Sequence, residues 1–329
     1  MEWGKMMNHN IIEMMEMCGL TAFSGALIVD YKIKDLFYYG QVSISNHTAV
    51  SESTTFQAAS LSKSITATAV LKLVERKMVD LDTDVNVYLK NFVLDQPITL
   101  RQLLSHTAGV NVEGFKGYLL HKRVPSLLEV IQGKGNSPKI RIISTPGLVY
   151  QYSGGGYTLI QQILTEVTQL SFQELMHSLV FEPLNMTEST FDSNKTGVTG
   201  YYRKGKKVQL NYRVYPELAA AGLVTTPRDY AKWIIELQKC LIGKSSYLSQ
   251  ATVEMMLTPV ANARNQVKMC LGVFQVTPMV YSHQGGNAGF ASRYIMTKAG
   301  TGLILMGNCS TSSLVMNYVI NESLKKENY

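Results

Sequence analysis

A serine hydroxyl and a lysine amine stand three residues apart in Ser60-Leu61-Ser62-Lys63. On a helix such a pair lies on one face, one turn apart. A hydroxyl becomes a nucleophile when a neighbouring base takes its proton, and an amine is such a base when burial lowers its pKa. Residues 56–59 read as an extended approach and those after Ser60 as an apolar helix. Ser60 therefore falls at a helix start, where unpaired backbone N–H groups and the positive dipole end favour developing negative charge. Taken alone, the tetrad is better read as a serine cap followed by a solvated lysine. Other stretches of the chain change that balance.

The remaining chemical candidates are weaker. His106, in Ser105-His106-Thr107-Ala108-Gly109, is a base by type, yet a turn residue bonded to backbone is the expected outcome. Asp80-Leu81-Asp82-Thr83-Asp84 resembles the start of a calcium loop, but Val85 stands where the tight glycine is needed and Asn91 where the bidentate Glu belongs, so a helix-to-helix turn is expected. Gly200 to Lys207 approaches a phosphate-binding loop without the metal-binding hydroxyl and reads as a hairpin turning at Lys204-Gly205-Lys206. Gly154-Gly155-Gly156 lacks a following Gly-Lys-Ser/Thr. No metal or cofactor is expected: there is no His-Glu-x-x-His, and the six histidines are dispersed, with His47, His121 and His177 read as surface or packing residues.

Positioning these groups requires a framework. Residues 9–18 suggest a short amphipathic helix, and 24–30 with 36–40 a β-hairpin turning around Lys32-Ile33-Lys34-Asp35, with strand character continuing over 42–45. The helix from Ser60 runs to about Lys77 and is apolar enough to be central. A short helix follows Thr99 as its N-cap. Helices are expected at 126–132, 157–167, 172–180, 227–242 (begun by Pro227), 248–257 and 312–324. Strand-like runs return at 271–276, 280–283, 291–297 and 302–307. Strands at both ends with helices between predict an α/β (α+β) fold: an antiparallel sheet built from the two terminal segments, with a mainly helical lobe inserted. The single domain divides into an α/β lobe, 1–58 and 205–329, and a helical lobe, 59–204, with the site in the cleft between them.

Composition limits the function classes. Hydrophobic residues make up 46% and charged ones 17% of 329, which fits a compact globular protein and excludes disorder. A net charge of +7 is spread in short groups such as Lys122 with Arg123 and Lys325 with Lys326, which reads as a solvated basic surface and not a nucleic-acid groove. Cys18, Cys240, Cys270 and Cys309 form no Cys-x-x-Cys pair and read as buried small hydrophobes. Glu2, Lys5, Glu13 and Glu16 interrupt the Met-rich start, so no signal-peptide core is visible. No run approaches the ~20 apolar residues of a membrane span. A cytoplasmic protein is expected, periplasmic or extracellular if a leader is removed, with a small-molecule or peptide substrate as its partner and its oligomeric state open.

Six stretches, in order and at suitable intervals, carry a family likeness: Ser60 to Lys63; Leu103-Leu104-Ser105-His106-Thr107-Ala108-Gly109; Tyr152-Ser153-Gly154-Gly155-Gly156-Tyr157; Phe181-Glu182-Pro183-Leu184-Asn185-Met186; Gly222-Leu223-Val224-Thr225-Thr226; and His283-Gln284-Gly285-Gly286. From about Ser24 to Asn308 the chain resembles the serine β-lactamase and penicillin-binding protein superfamily, in the class C-like branch that also holds DD-peptidases, D-aminopeptidases, esterases and acyltransferases. The resemblance implies a β-lactamase-like fold, Ser60 as acylated nucleophile, Lys63 as its base and Tyr152 as a proton relay whose pKa Lys63 must lower. It places His283 and Gly285 on the far wall of the cleft and the N–H groups of Ser60 and Gly286 in an oxyanion hole. Two departures bear on substrate. Gly154 replaces the asparagine often found two residues after the tyrosine, and His283 stands where β-lactamases commonly carry lysine. Both tilt the expectation toward an ester or atypical amide, cleaved through an acyl-enzyme by a serine hydrolase with esterase, peptidase or weak β-lactamase-like activity. Acyl transfer to another acceptor and a non-catalytic binding or scaffold role are the alternatives.

Overall fold

The computed structural model describes residues 2–326 and, apart from Lys204, the side chains of 10–323. The side chains of Glu2, Lys5, Lys325 and Lys326 thus fall outside those described. Helix α1 (Glu2–Cys18) precedes strands β1 (Ala22–Val29), β2 (Lys32–Ser43), β3 (Asn46–Ala49) and β4 (Phe56–Gln57). Helices α2 (Ser62–Glu75), α3 (Leu100–Leu104), α4 (Leu127–Ile131), α5 (Gly154–Thr168) and α6 (Phe172–Met176) follow. Next come β5 (Tyr201–Tyr202), β6 (Lys206–Lys207), α7 (Leu218–Ala221), β7 (Val224–Thr225), α8 (Pro227–Leu241) and α9 (Gln250–Leu257). The chain closes with β8 (Ala261–Asn262), β9 (Lys268–Met269), β10 (Phe274–Thr277), β11 (Val280–Asn287), β12 (Phe290–Thr297), β13 (Gly302–Gly307) and α10 (Ser313–Lys326).

Nine strands form one antiparallel sheet in the order β3-β2-β1-β13-β12-β11-β10-β9-β8. The first and last thirds of the chain meet where β1 pairs with β13, Phe23 opposite Gly307 and Ile28 opposite Gly302. Asn308 fastens that seam. Its Oδ1 accepts from the Thr21 and Ala22 amides at 3.2 and 2.9 Å, and its Nδ2 donates to Thr21 Oγ1 and Thr199 O at 2.7 and 2.8 Å. Ile11, Met15, Val315 and Val319 of α1 and α10 join Phe23, Leu303 and Leu305 in one apolar cluster. A larger cluster runs from Ala22 through the helical segments to Met306, so sheet and helices share a core.

The mixed architecture agrees with the sequence expectation, with local differences. The first hairpin turns at Asp30 and Tyr31, whose φ values of +52° and +61° suit the twist of a tight hairpin, so residues 32–35 are strand. The glycine triplet forms the first turn of α5, because the Ser153 hydroxyl accepts from the Gly156 amide and caps the helix. The 172–180 helix is α6 followed by a π-helical turn over His177–Phe181. Asp80 folds its loop by accepting from the Asp82 and Thr83 amides at 2.7 and 2.9 Å, and Asp82 pairs with Arg101. Cys18, Cys240, Cys270 and Cys309 are buried free thiols.

Candidate active site

Ser60 lies in a 3-10 turn, Ala59–Leu61, that leads into α2. Ala59 holds φ at +49°, in a region where a side chain costs roughly 1–3 kcal/mol and persists only when neighbours enforce it. The neighbours are explicit. Ser62 Oγ donates to Ala59 O at 2.5 Å and accepts from the Leu223 amide at 2.9 Å. Ala58 donates its amide to Leu223 O at 2.8 Å and receives the Ser292 hydroxyl on its own carbonyl at 2.7 Å. The turn is thereby tied to β12 and to the segment entering β7. Helix α2 is buried all round from Ser62 to Leu71, as its apolar sequence requires.

Lys63 Nζ donates to Ser60 Oγ at 3.1 Å and to Ala220 O at 2.7 Å. The residue is 2% exposed, and burial pushes the pKa of its amine down to about 7. Among the described residues no carboxylate is one of its hydrogen-bond partners, so no counter-charge in contact opposes the effect of burial. Tyr152 arrives from the stretch before α5. Its hydroxyl is in hydrogen-bonding reach of Ser60, and its ring centroid is 5.1 Å from Lys63 Nζ. The sequence expectation required Lys63 to lower the phenol's pKa. Instead burial raises it well above 10, with the Ser60 hydrogen bond the main opposing influence. Tyr152 is a neutral phenol at any ordinary pH.

Strand β11 forms the opposite wall. At Gly285 a Cβ would sit 2.4 Å from Ala58 O, 2.5 Å from Ser292 Oγ and 3.0 Å from Ser60 N, so only glycine allows this strand to pass so near the serine. At Gly286 a Cβ would have open space around it. Asn287 locks the strand end by donating to Gln57 Oε1 and Ala221 O at 3.0 and 3.1 Å. His283 is buried, and its Nδ1 faces Gln284 O at 2.8 Å, which makes Nδ1 the protonated nitrogen. Burial first, and the Lys63 charge second, push its pKa down to about 3, so it carries no charge at neutral pH. Gly154 is buried away from the cleft wall, where Phe115 Cε2 would lie 2.9 Å from a Cβ.

The structure therefore brings Ser60, Lys63, Tyr152 and Gly285 together, places His283 and Gly286 on the same wall, and sets Gly154 apart. A cleft of about 1630 Å³ opens beside them, lined by Tyr152, His283, Gly285 and Gly286 and rimmed by exposed Leu148, Val149, Val260 and Val276. Sequence reasoning missed two contributors: Ala220 supplies the carbonyl for Lys63, and Phe274 packs its ring 5.0 Å from His283. The Gly222 to Thr226 stretch was a signal for the first. Phe274 carried none, because its neighbours come from distant segments. His106, expected as a turn residue bonded to backbone, accepts from the Ser153 amide and also packs its ring 4.3 Å from Tyr152.

The chain is 28% identical over 263 residues to a Bacillus subtilis (strain 168) protein provisionally named penicillin-binding protein PbpX, covering 77% of this chain and 61% of the relative. It is 25% identical over 228 residues to the teichoic acid D-alanine hydrolase of Staphylococcus aureus (strain MRSA252), covering 67% of this chain and 55% of that one. The chain thus spans less than two thirds of these relatives' length. In fold it resembles the octameric penicillin-binding protein homologue from Pyrococcus abyssi, with a TM-score of 0.83 at 22% identity over 99% of this chain and 78% of that one. The crystal structure of SurE with D-Leu gives a TM-score of 0.75 at 21% identity, over 97% and 74% of the two chains. The family model named Beta-lactamase matches residues 8–322, and the chain belongs to that family.

Proposed function

We propose that the protein is a serine hydrolase that cleaves an ester or amide through an acyl-enzyme on Ser60. The observation that carries this reading is the buried Lys63 amine, 3.1 Å from Ser60 Oγ and with its pKa down at about 7, so that much of it is the free base at neutral pH. Lys63 takes the hydroxyl proton as Ser60 Oγ attacks the substrate carbonyl. The amides of Ser60 and Gly286 receive the oxyanion, each such donor being worth ~3–4 kcal/mol of barrier. Tyr152, held neutral, gives its proton to the leaving group and recovers one from the Lys63 ammonium. Water then attacks the acyl-enzyme, Lys63 serving again as base, and Ser60 is released.

The neutral His283 offers no charge to a substrate carboxylate, and Gly154 offers no amide. At the serine itself this supports an ester over a β-lactam, although Arg264 and Arg293 line the wider cleft together with its apolar rim. The relative named teichoic acid D-alanine hydrolase makes D-alanyl compounds the first to test. The intact set of Ser60, Lys63 and Tyr152 weighs against a purely non-catalytic scaffold. A fluorophosphonate probe tests the reading: labelling of the native protein that disappears in Ser60→Ala is the expected result. Absence of labelling in both, at a concentration that saturates a known serine hydrolase, would overturn it.

A further inference from the structure

His106 stands outside the reaction just described, yet its backbone and its ring both engage the segment that carries Tyr152. Its carbonyl accepts from the Gln151 amide at 2.8 Å, and its Nδ1 accepts from the Ser153 amide at 3.1 Å. The two residues flanking Tyr152 are therefore both hydrogen-bonded to one histidine. The imidazole lies 4.3 Å from the Tyr152 ring, centroid to centroid, and 5.3 Å from that of Tyr157. Nearby, Ile143 donates to Gly109 O at 2.8 Å and Gly147 to Thr107 O at 2.7 Å, so the whole 143–153 strip is laced to the 106–109 turn. The turn itself is set by His106 at φ +56°, a conformation histidine tolerates better than most side chains.

From this geometry we propose that His106 is a positioning residue, a brace that fixes the Tyr152 hydroxyl over Ser60. The proposal rests on the acyl-enzyme reading above for its catalytic consequence. Accepting at Nδ1 places the ring proton on Nε2, which is buried without a hydrogen-bond partner. A buried polar atom left unmatched is a cost that a merely space-filling residue would avoid. Burial, with Lys63 and His283 adding to it, pushes its titration far below the usual histidine range. The brace is thus uncharged and does not compete with Lys63 for protons.

The test is a double-mutant cycle on the full chain with Tyr152→Phe. His106→Ala is expected to lower kcat by about 100-fold with KM within about threefold, and to hurt an alkyl ester more than a p-nitrophenyl ester, whose leaving group needs no proton. In the Tyr152→Phe background the same substitution is expected to cost less than threefold, since the group it positions is gone. Equal losses in both backgrounds, counted per fluorophosphonate-titrated site, would overturn the brace. If His106→Ala does not fold, His106→Asn serves instead. It keeps an acceptor for the Ser153 amide and tolerates positive φ but lacks the ring, and a loss of about tenfold is expected. A crystal structure of the folded variant decides the point even if no ester is turned over. Displacement of the Tyr152 hydroxyl by more than about 1 Å supports the brace, whereas an unmoved Tyr152 refutes it. Missing fluorophosphonate labelling would refute only the reaction.

Discussion

In the proposed reaction Lys63 trades stability for reactivity. Its amine drops from an ordinary 10.5 to about 7, so kcat/KM is expected to rise tenfold per pH unit below about 7 and to level off above it. A pH profile with a neutral ester checks this, and a limb near 10 would contradict it. The same shift has a sign for folding. Between about 7 and 10.5 the unfolded chain holds more protons on this amine than the folded one, so the contribution to stability rises with pH across that window. Below about 7 the penalty is fully present. Lys63→Met is therefore expected to abolish the reaction yet stabilise the fold by about 1–2 kcal/mol at pH 6, after allowing for the Ala220 carbonyl left unpaired. Chemical denaturation at pH 6 and pH 10 should show that gain shrinking. The Ser60–Lys63 pairing was legible because an i, i+3 spacing is local. The raised Tyr152 pKa was not, since it depends on how deeply folding buries a phenol.

Among the elements, β11 and the turn before α2 depend on each other most closely. Gly285→Ala would drive a Cβ into Ala58 O and Ser292 Oγ, at 2.4 and 2.5 Å, and force the strand off the serine. A loss of at least about 100-fold in kcat/KM with about 2–3 kcal/mol of stability is expected. Gly286→Ala, with open space around it, should leave stability within about 0.5 kcal/mol and is the control. Thermal unfolding of the two variants side by side checks the contrast. Long periodic elements such as α2 and α8 were readable from sequence because their patterns repeat over several turns. The first hairpin's turn was misplaced because Lys32 to Asp35 is polar, whereas the backbone reversal uses the left-handed tolerance of Asp30 and, unusually, of Tyr31. The expected helix starts at residue 157 and not at Gly154, because the low helix propensity of the three glycines hides the Ser153 cap.

For the molecule as a whole, the seam between β1 and β13 is the joint on which the sheet depends, and Asn308 is its fastening. Asn308→Ala removes four hydrogen bonds from a fully buried amide and strands the Thr21 and Ala22 amides. A cost of about 3 kcal/mol, read as a lower denaturation midpoint with unchanged m-value, is expected. That the two ends share a sheet was legible from the return of strand-like runs after residue 270. The strand order was not, since pairing partners leave no mark in either sequence. This seam also governs when the protein comes into being. During synthesis the turn that holds Ser60 emerges before β11 and β13, so until those strands follow the nascent chain has this serine without its opposite wall and a half-sheet with an unpaired edge. Such a distant closure favours slow assembly, and the cleft exists only once β11 has left the ribosome.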